Sequence, residues 1–381
     1  MPDAPALDDE APYEHEDRSA GHYAERALLG AILLEPALLE KLDLEPAAFD
    51  SPFHAAVFAA MRAVPAPPQP STRSGLEWLN AVLAKAQSQA AGLTPSFAHA
   101  LITACPRSDH AVAYAAIVRS EHARRTIRLH AARLALAADD ATVPDRPAYV
   151  LAAADALARH LDEVASRFPA ASASLPRTPA PPSVPPVDLE EAEHLELMLL
   201  ASATSCPAGV KEMRWLAAED FASPARGGLW KCVAALAHRE EAIDPVTVLW
   251  EAQVRGVLAA GITPPEVVAL LSFPAGSACY WGTRIVENAL LARARHTADQ
   301  VTAYTADPSN GVHQLIAGSR RALAGLASVR HRWQHATRPA VPVPARPEAA
   351  ASRAGPRRPT TTSPSPFPPS SSPRPAAGRT P

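Results

Sequence analysis

From Tyr23 onward the apolar positions recur with helical spacing: Leu28, Leu29, Ile32 and Leu33 lie one and four residues apart, a single stripe on a helix. Pro36 ends that run or opens the next, since a proline at the first helical position loses no hydrogen bond. Leu38, Leu39 and Leu42 continue on a short second helix, a third begins near Pro46, and a fourth carries Val57, Phe58 and Met61. Residues 65–75 read as a Pro/Ser loop. Helical spacing returns over about 76–90, 95–104, 110–138 and 147–167, and again from Leu189 to about Trp333. No window alternates apolar and polar residues over the length of a strand. The pattern predicts an all-α protein.

Proline changes the picture from one fold to two. The chain holds 41 Pro in 381 residues, about twice ordinary usage. Seven of them fall between 169 and 187 and thirteen between 338 and 381. The predicted organisation is an acidic disordered arm (1–20), a first helical domain (21–167), a semi-extended Pro-rich linker (168–189), a second helical domain (190–333) and a disordered Pro/Ser/Thr-rich tail (334–381). From Arg338 onward the tail carries seven Arg against Glu348 alone, a charge of +6, so a total of −3 conceals a body of −9. Arg353, Arg357 and Arg358 are the candidate contacts for weak, salt-sensitive nucleic-acid binding.

The two helical regions match one another in order. Residues 44–58 read LEPAAFDSPFHAAVF and residues 216–230 read LAAEDFASPARGGLW. Leu44 pairs with Leu216, Phe49 with Phe221, Ser51-Pro52 with Ser223-Pro224 and Phe58 with Trp230, all at an offset of 172. Upstream, Glu25 pairs with Glu196, Leu28-Leu29 with Leu199-Leu200 and Pro36 with Pro207 at 171; downstream, Pro106, Ile117 and Val118 pair with Pro274, Ile285 and Val286 at 168. A slowly drifting offset is what small loop insertions leave in a duplicated sequence. Within the motif, Phe49 or Phe221 closes a short helix onto the core. Ser51 or Ser223 caps the next helix, whose first position is Pro52 or Pro224. The role of Pro36, Phe49, Ser51, Pro52, Phe58, Pro207, Phe221, Ser223, Pro224 and Trp230 is architectural.

These residues carry a family resemblance. Ala24-Glu25-Arg26-Ala27-Leu28-Leu29-Gly30-Ala31-Ile32-Leu33, followed by Leu44 to Phe58, resembles the N-terminal domain of the bacterial replicative DNA helicase family, DnaB. The second region keeps a later element of that pattern, Ile243-Asp244-Pro245-Val246-Thr247-Val248 with Arg255-Gly256. The first region has a Ser/Arg/Gly loop at 71–75 in its place. The first keeps Tyr114-Ala115-Ala116-Ile117-Val118-Arg119 better, where the second has Tyr280-Trp281-Gly282-Thr283-Arg284-Ile285-Val286-Glu287. The resemblance implies, for each copy, a helical globule followed by a long helical hairpin, at about 110–167 and 279–330. It further implies a collar whose hairpins pair and which receives the primase; the expected partners are primase and/or the replicative helicase. Pairing of the two copies within one chain, or a homo-oligomer, follows as an expectation.

The chemistry of a motor is missing from this stretch of sequence. A P-loop needs a Gly-Lys step to hold phosphates, and the four lysines follow Glu40, Ala84, Val210 and Trp230. No short-spaced His/Glu set suggests a metal, and no catalytic residue or cofactor is expected. Cys105, Cys206, Cys232 and Cys279 lie far apart and read as reduced core thiols. No run approaches a membrane span, and the acidic N-terminus is unlike a targeting peptide, so the expected compartment is the cytoplasm. The 32 Arg against four Lys, with abundant Ala, look like GC-rich coding of the actinobacterial type. Arg119, Arg124, Arg125, Arg128, Arg293, Arg320 and Arg321 form the candidate interaction surface on the hairpins, weighed against a merely solvated face. The functional expectation is a non-catalytic replication-associated scaffold. Its rival is a nucleic-acid-binding module anchored by the tail.

Overall fold

Prolines and the capping residues before them set where the helices begin. The computed structural model describes residues 19–67, 72–168, 174–182, 189–272 and 276–338; residues 1–18 of the acidic arm, with Arg353, Arg357 and Arg358 of the tail, lie outside these, while Ser19 and Ala20, expected in the arm, are the cap and first residue of the first helix. α1 (Ala20–Leu34) is followed by 3-10 turns at Pro36–Lys41 and Pro46–Ala48, then α2 (Pro52–Ala63), α3 (Thr72–Gln87), α4 (Pro95–Thr103), α5 (Ala111–Asp139) and α6 (Arg146–Arg167). The second half runs α7 (Leu189–Ser205), α8 (Pro207–Glu212), a 3-10 turn at Ala218–Asp220, α9 (Pro224–Arg239), α10 (Pro245–Val254), α11 (Pro264–Leu271), α12 (Ala278–Ala306) and α13 (Val312–Ala336). Every described element is helical or a turn, and the all-α class holds. Proline occupies the first turn of α2, α4, α6, α8, α9, α10 and α11.

The order of elements in the first half recurs in the second. α5 and α12 are each 29 residues long, and each is followed by a second long helix. Residues 72–75, expected as loop, are the first turn of α3, so the helix expected from about 76 starts four residues earlier. Residues 36–41 wind as a 3-10 turn, whereas the matching 207–212 is a short α-helix.

Three cores hold the fold. One buries Leu28, Leu29, Ile32, Phe58, Met61, Val82 and Leu101 together with the start of α5 at Ala111, Ala115 and Val118. A second buries Leu199, Leu200, Leu229, Trp230, Val233, Val248 and Val267 with the start of α12 at Ala278, Ile285 and Val286. The third joins the hairpins. Ala123, Ile127, Ala131, Leu134 and Ala138 of α5 share one cluster with Leu157 and Leu161 of α6, Leu290, Ala294, Ala298 and Val301 of α12, and Leu315, Ala322 and Leu326 of α13. Their spacing of three and four keeps one face of each helix apolar. Small residues at Ala123, Ala131, Ala294 and Ala298 let α5 and α12 approach closely.

Candidate interaction site

The repeated Phe-x-Ser-Pro segment is tied down by a buried carboxylate. Glu25, on α1, is 2 % exposed. Its Oε1 accepts a hydrogen bond from the backbone N–H of Asp50 at 2.6 Å, while Oε2 accepts from that of Ser51 at 3.5 Å and lies 2.7 Å from His54 Nδ1. In the second half Glu196, on α7, accepts from the N–H of Ala222 and, at 3.3 Å, of Ser223, with Arg226 Nη1 at 3.4 Å where the first half has His54. Burial pushes the Glu196 carboxyl above its ordinary value, against those hydrogen bonds and the Arg226 charge. The helix following each turn is capped by serine: Ser51 Oγ accepts from His54 N–H and Ser223 Oγ from Arg226 N–H, both at 3.4 Å. Pro52 and Pro224 stand in the first turns behind those caps, and Pro36 and Pro207 likewise open their segments. Phe49 and Phe58 are buried with ring centroids 4.9 Å apart, and Phe221 stacks on Trp230 at 6.3 Å. The sequence aligns these two glutamates, and the fold supplies their role.

Most of the arginines read as an interaction surface are used inside the molecule. Arg124 donates through Nη1 to the carbonyls of Thr305 (3.2 Å) and Asp307 (2.8 Å), and through Nη2 to that of Asn310 (2.7 Å). Arg128 donates to the Thr305 carbonyl at 2.7 Å. Together they cap the end of α12 from α5, satisfying carbonyls that a helix terminus leaves open. Arg295 of α12 reciprocates on Asp139 at the end of α5. Arg320 pairs with Asp162 at 2.5 Å and Arg330 with Asp155 at 2.5 Å, joining α13 to α6. The contacts place α5 antiparallel to α12 and α6 antiparallel to α13, in a four-helix bundle built from both halves. Arg119, Arg293 and Arg321 have no carboxylate partner among the described residues.

The halves differ where the Phe-x-Ser-Pro turn meets the hairpin. In the first, Arg125 of α5 donates to the Ala48 carbonyl at 2.8 Å and pairs with Asp50 at 3.0 Å. The matching position in the second is Arg293, which leaves the turn open. There Arg332 of α13 reaches in instead and holds buried Asp220 in a fork at 2.6–3.1 Å. What remains is a cleft of about 540 Å³ between α7, the 218–223 turn and α12, lined by Glu193, Glu196, Glu219, Asp220, Arg293 and His296. Burial raises the Asp220 carboxyl and lowers the His296 imidazole from their ordinary values.

No group of three or more His, Cys, Asp or Glu among the described residues is arranged to hold a metal ion. Burial raises the thiols of Cys105, Cys279 and Cys232, the last to about 11, which keeps them protonated and poor nucleophiles. Only Cys232 lies in a core; Cys206 is exposed and Cys105 and Cys279 are half-buried, so the reading of four core thiols is corrected. No described helix is long and apolar enough to cross a membrane. No curated protein and no solved structure gives a significant match. Residues 19–120, from the cap of α1 through the first third of α5, match the family model of the DnaB-like helicase N terminal domain.

Proposed function

We propose that the chain is a tandem, non-catalytic form of the replicative helicase collar domain and acts as a replication-associated scaffold in the cytoplasm. Its partner is primase, the replicative helicase, or both. The observation that carries this reading is the bundle of α5, α6, α12 and α13, in which two hairpins of one chain share a core. In the family that residues 19–120 match, such hairpins belong to separate subunits. A covalent pair would present two collar heads in fixed register. The recurrence of the buried Glu, the Ser cap and the Pro start in both halves supports the duplication.

The direct test is binding of the purified full chain to purified primase and to purified replicative helicase from the same organism, by isothermal titration. A complex with one of them at micromolar concentration is expected. Heat signals indistinguishable from dilution for both proteins would overturn the assignment. An ATPase assay with single-stranded DNA is expected to stay at background, and turnover by the purified chain would contradict the non-catalytic part.

A further inference from the structure

Part of the linker is a docked strap. Residues Leu175–Thr178 lie on the turn between α12 and α13, and four hydrogen bonds hold them there. Gln314 Nε2 donates to the Leu175 carbonyl (3.2 Å) and the Arg177 N–H donates to Asn310 Oδ1 (2.8 Å). Asn310 Nδ2 donates to Thr178 Oγ1 (2.8 Å), and that hydroxyl donates in turn to Asp307 Oδ2 (2.6 Å). Asn310 is fully buried, and its second amide hydrogen goes to the Tyr304 carbonyl at 3.0 Å. Pro176 sits over Gly318: a Cβ on that glycine would lie 2.3 Å from Pro176 Cγ. The socket therefore reads two backbone groups, one hydroxyl and one proline ring. The side chains of Leu175 and Arg177 are exposed and supply none of these four bonds.

The fit is incomplete on one side. Leu175, Pro176, Thr178 and Ala180, on either side of a bend at Arg177–Thr178, line a cavity of about 430 Å³ with Arg293, His296, Gln300 and Arg321. The strap from Ser174 to Ala180 reads Ser-Leu-Pro-Arg-Thr-Pro-Ala and contains no acid. Neither Arg293 nor Arg321 has a carboxylate partner among the described residues. The His296 Nδ1 is buried without a hydrogen-bond partner. The strap thus fills the backbone sockets and leaves a cationic space beside Ala180 unmatched.

We propose that the groove at the α12–α13 turn is a recognition site for a segment of a partner protein with the pattern Pro-x-Thr-x-Asp or Pro-x-Thr-x-Glu, bent as the strap is, and that the linker is its built-in competitor. An acidic side chain at the place of Ala180 reaches the space between the two unpaired guanidinium groups. A partner carrying it displaces the strap, which stays tethered nearby and returns when the partner leaves.

The test uses the full chain and two labelled peptides, Ser-Leu-Pro-Arg-Thr-Pro-Ala and the same sequence ending in Glu, followed by fluorescence anisotropy. In a strap-release variant, Pro176→Ala with Thr178→Val, the Glu peptide is expected to bind about tenfold tighter than the Ala peptide at low salt, an advantage that shrinks as salt screens it. Wild type is expected to bind both more weakly, because the strap competes. Adding Asn310→Ala to the release variant should abolish binding while the circular dichroism spectrum stays helical. Equal affinity for the two peptides, or no binding to a release variant that melts like wild type, overturns the proposal. Should the release variant fail to fold, Ala180→Glu in the otherwise native chain gives a second reading. Hydrogen exchange at the Arg177 amide is expected to slow several-fold, and an unchanged rate overturns the proposal equally.

Discussion

Glu25 and Glu196 do the same task with different partners. Each accepts two backbone N–H groups at a helix entrance, and each is balanced by a residue one turn into that helix, His54 in one half and Arg226 in the other. Removing a buried acceptor leaves its donors unsatisfied, at about 1–3 kcal/mol for each. Glu25→Ala is accordingly expected to cost about 3 kcal/mol by denaturant titration, and a loss below 1 kcal/mol would contradict the tether. Gly30 is a second single-residue constraint, because a Cβ there would sit 2.1 Å from the Leu101 carbonyl oxygen. Gly30→Ala is expected to destabilise by about 2–3 kcal/mol through forced separation of α1 from α4, readable as a lowered thermal midpoint. The glutamate match was visible in the sequence, yet its role was not. The donors are main-chain groups brought together by folding, and main-chain donors have no sequence signature.

At the scale of elements, the hairpin helices carry both the recognisable and the hidden information. The apolar spacing of α5, α6, α12 and α13 could be read directly, since burial of one face requires it. The destination of Arg124 and Arg128 could not. A stripe of arginines at helical spacing looks the same whether it faces water or the carbonyls of another helix. Arg124→Ala is expected to open the Thr305–Asn310 turn and raise hydrogen exchange there well above wild type, with little change in the first core. Unaltered exchange would mean the cap is ornamental. The linker shows the same limit: its composition fits a spacer, while three of its residues, Leu175, Arg177 and Thr178, are hydrogen-bonded to Gln314, Asn310 and Asp307. Protonation offers another probe of the first hairpin. The imidazoles of His122 and His130 are held below their ordinary value, first by burial. Positive charge adds to this from Arg125, Arg167 and His160 at His122, and from His160, Arg133 and Arg159 at His130, where Glu163 opposes it. A histidine that binds its proton less readily folded than unfolded contributes stability above the unfolded value of about 6.5 and loses it as pH falls below. The thermal midpoint should drop between pH 7.5 and 5.5, and His130→Phe, which keeps a ring against His160, should flatten that slope. An equal slope in the variant would assign the pH response elsewhere.

For the whole molecule, the decisive fact is that the chain contains its own hairpin partner. Three separate cores imply three units that depend on one another unequally. The two heads close around α1–α4 and α7–α11, while the bundle exists only if both halves are present. Ala131→Glu places a carboxylate in the bundle core, where a charge without a partner is strongly unfavourable. The heads do not bury that position, so the variant should unfold in two steps under denaturant, with the bundle lost first and the head cores surviving to higher concentration. Tryptophan emission separates the two when read from chains in which Trp230 or Trp333 is the single tryptophan left of the six. Trp230 is buried inside the second head, and Trp333 packs against both that head and the bundle, so the early step should alter Trp333 and spare Trp230. Wild type, with its hairpin faces already covered in cis, should scatter light as a particle of 40.2 kDa whose mass does not double on concentration. Doubling in wild type that vanishes in Ala131→Glu would show the hairpins exchanging between chains, and the bundle would then belong to the assembly and not to the single polypeptide.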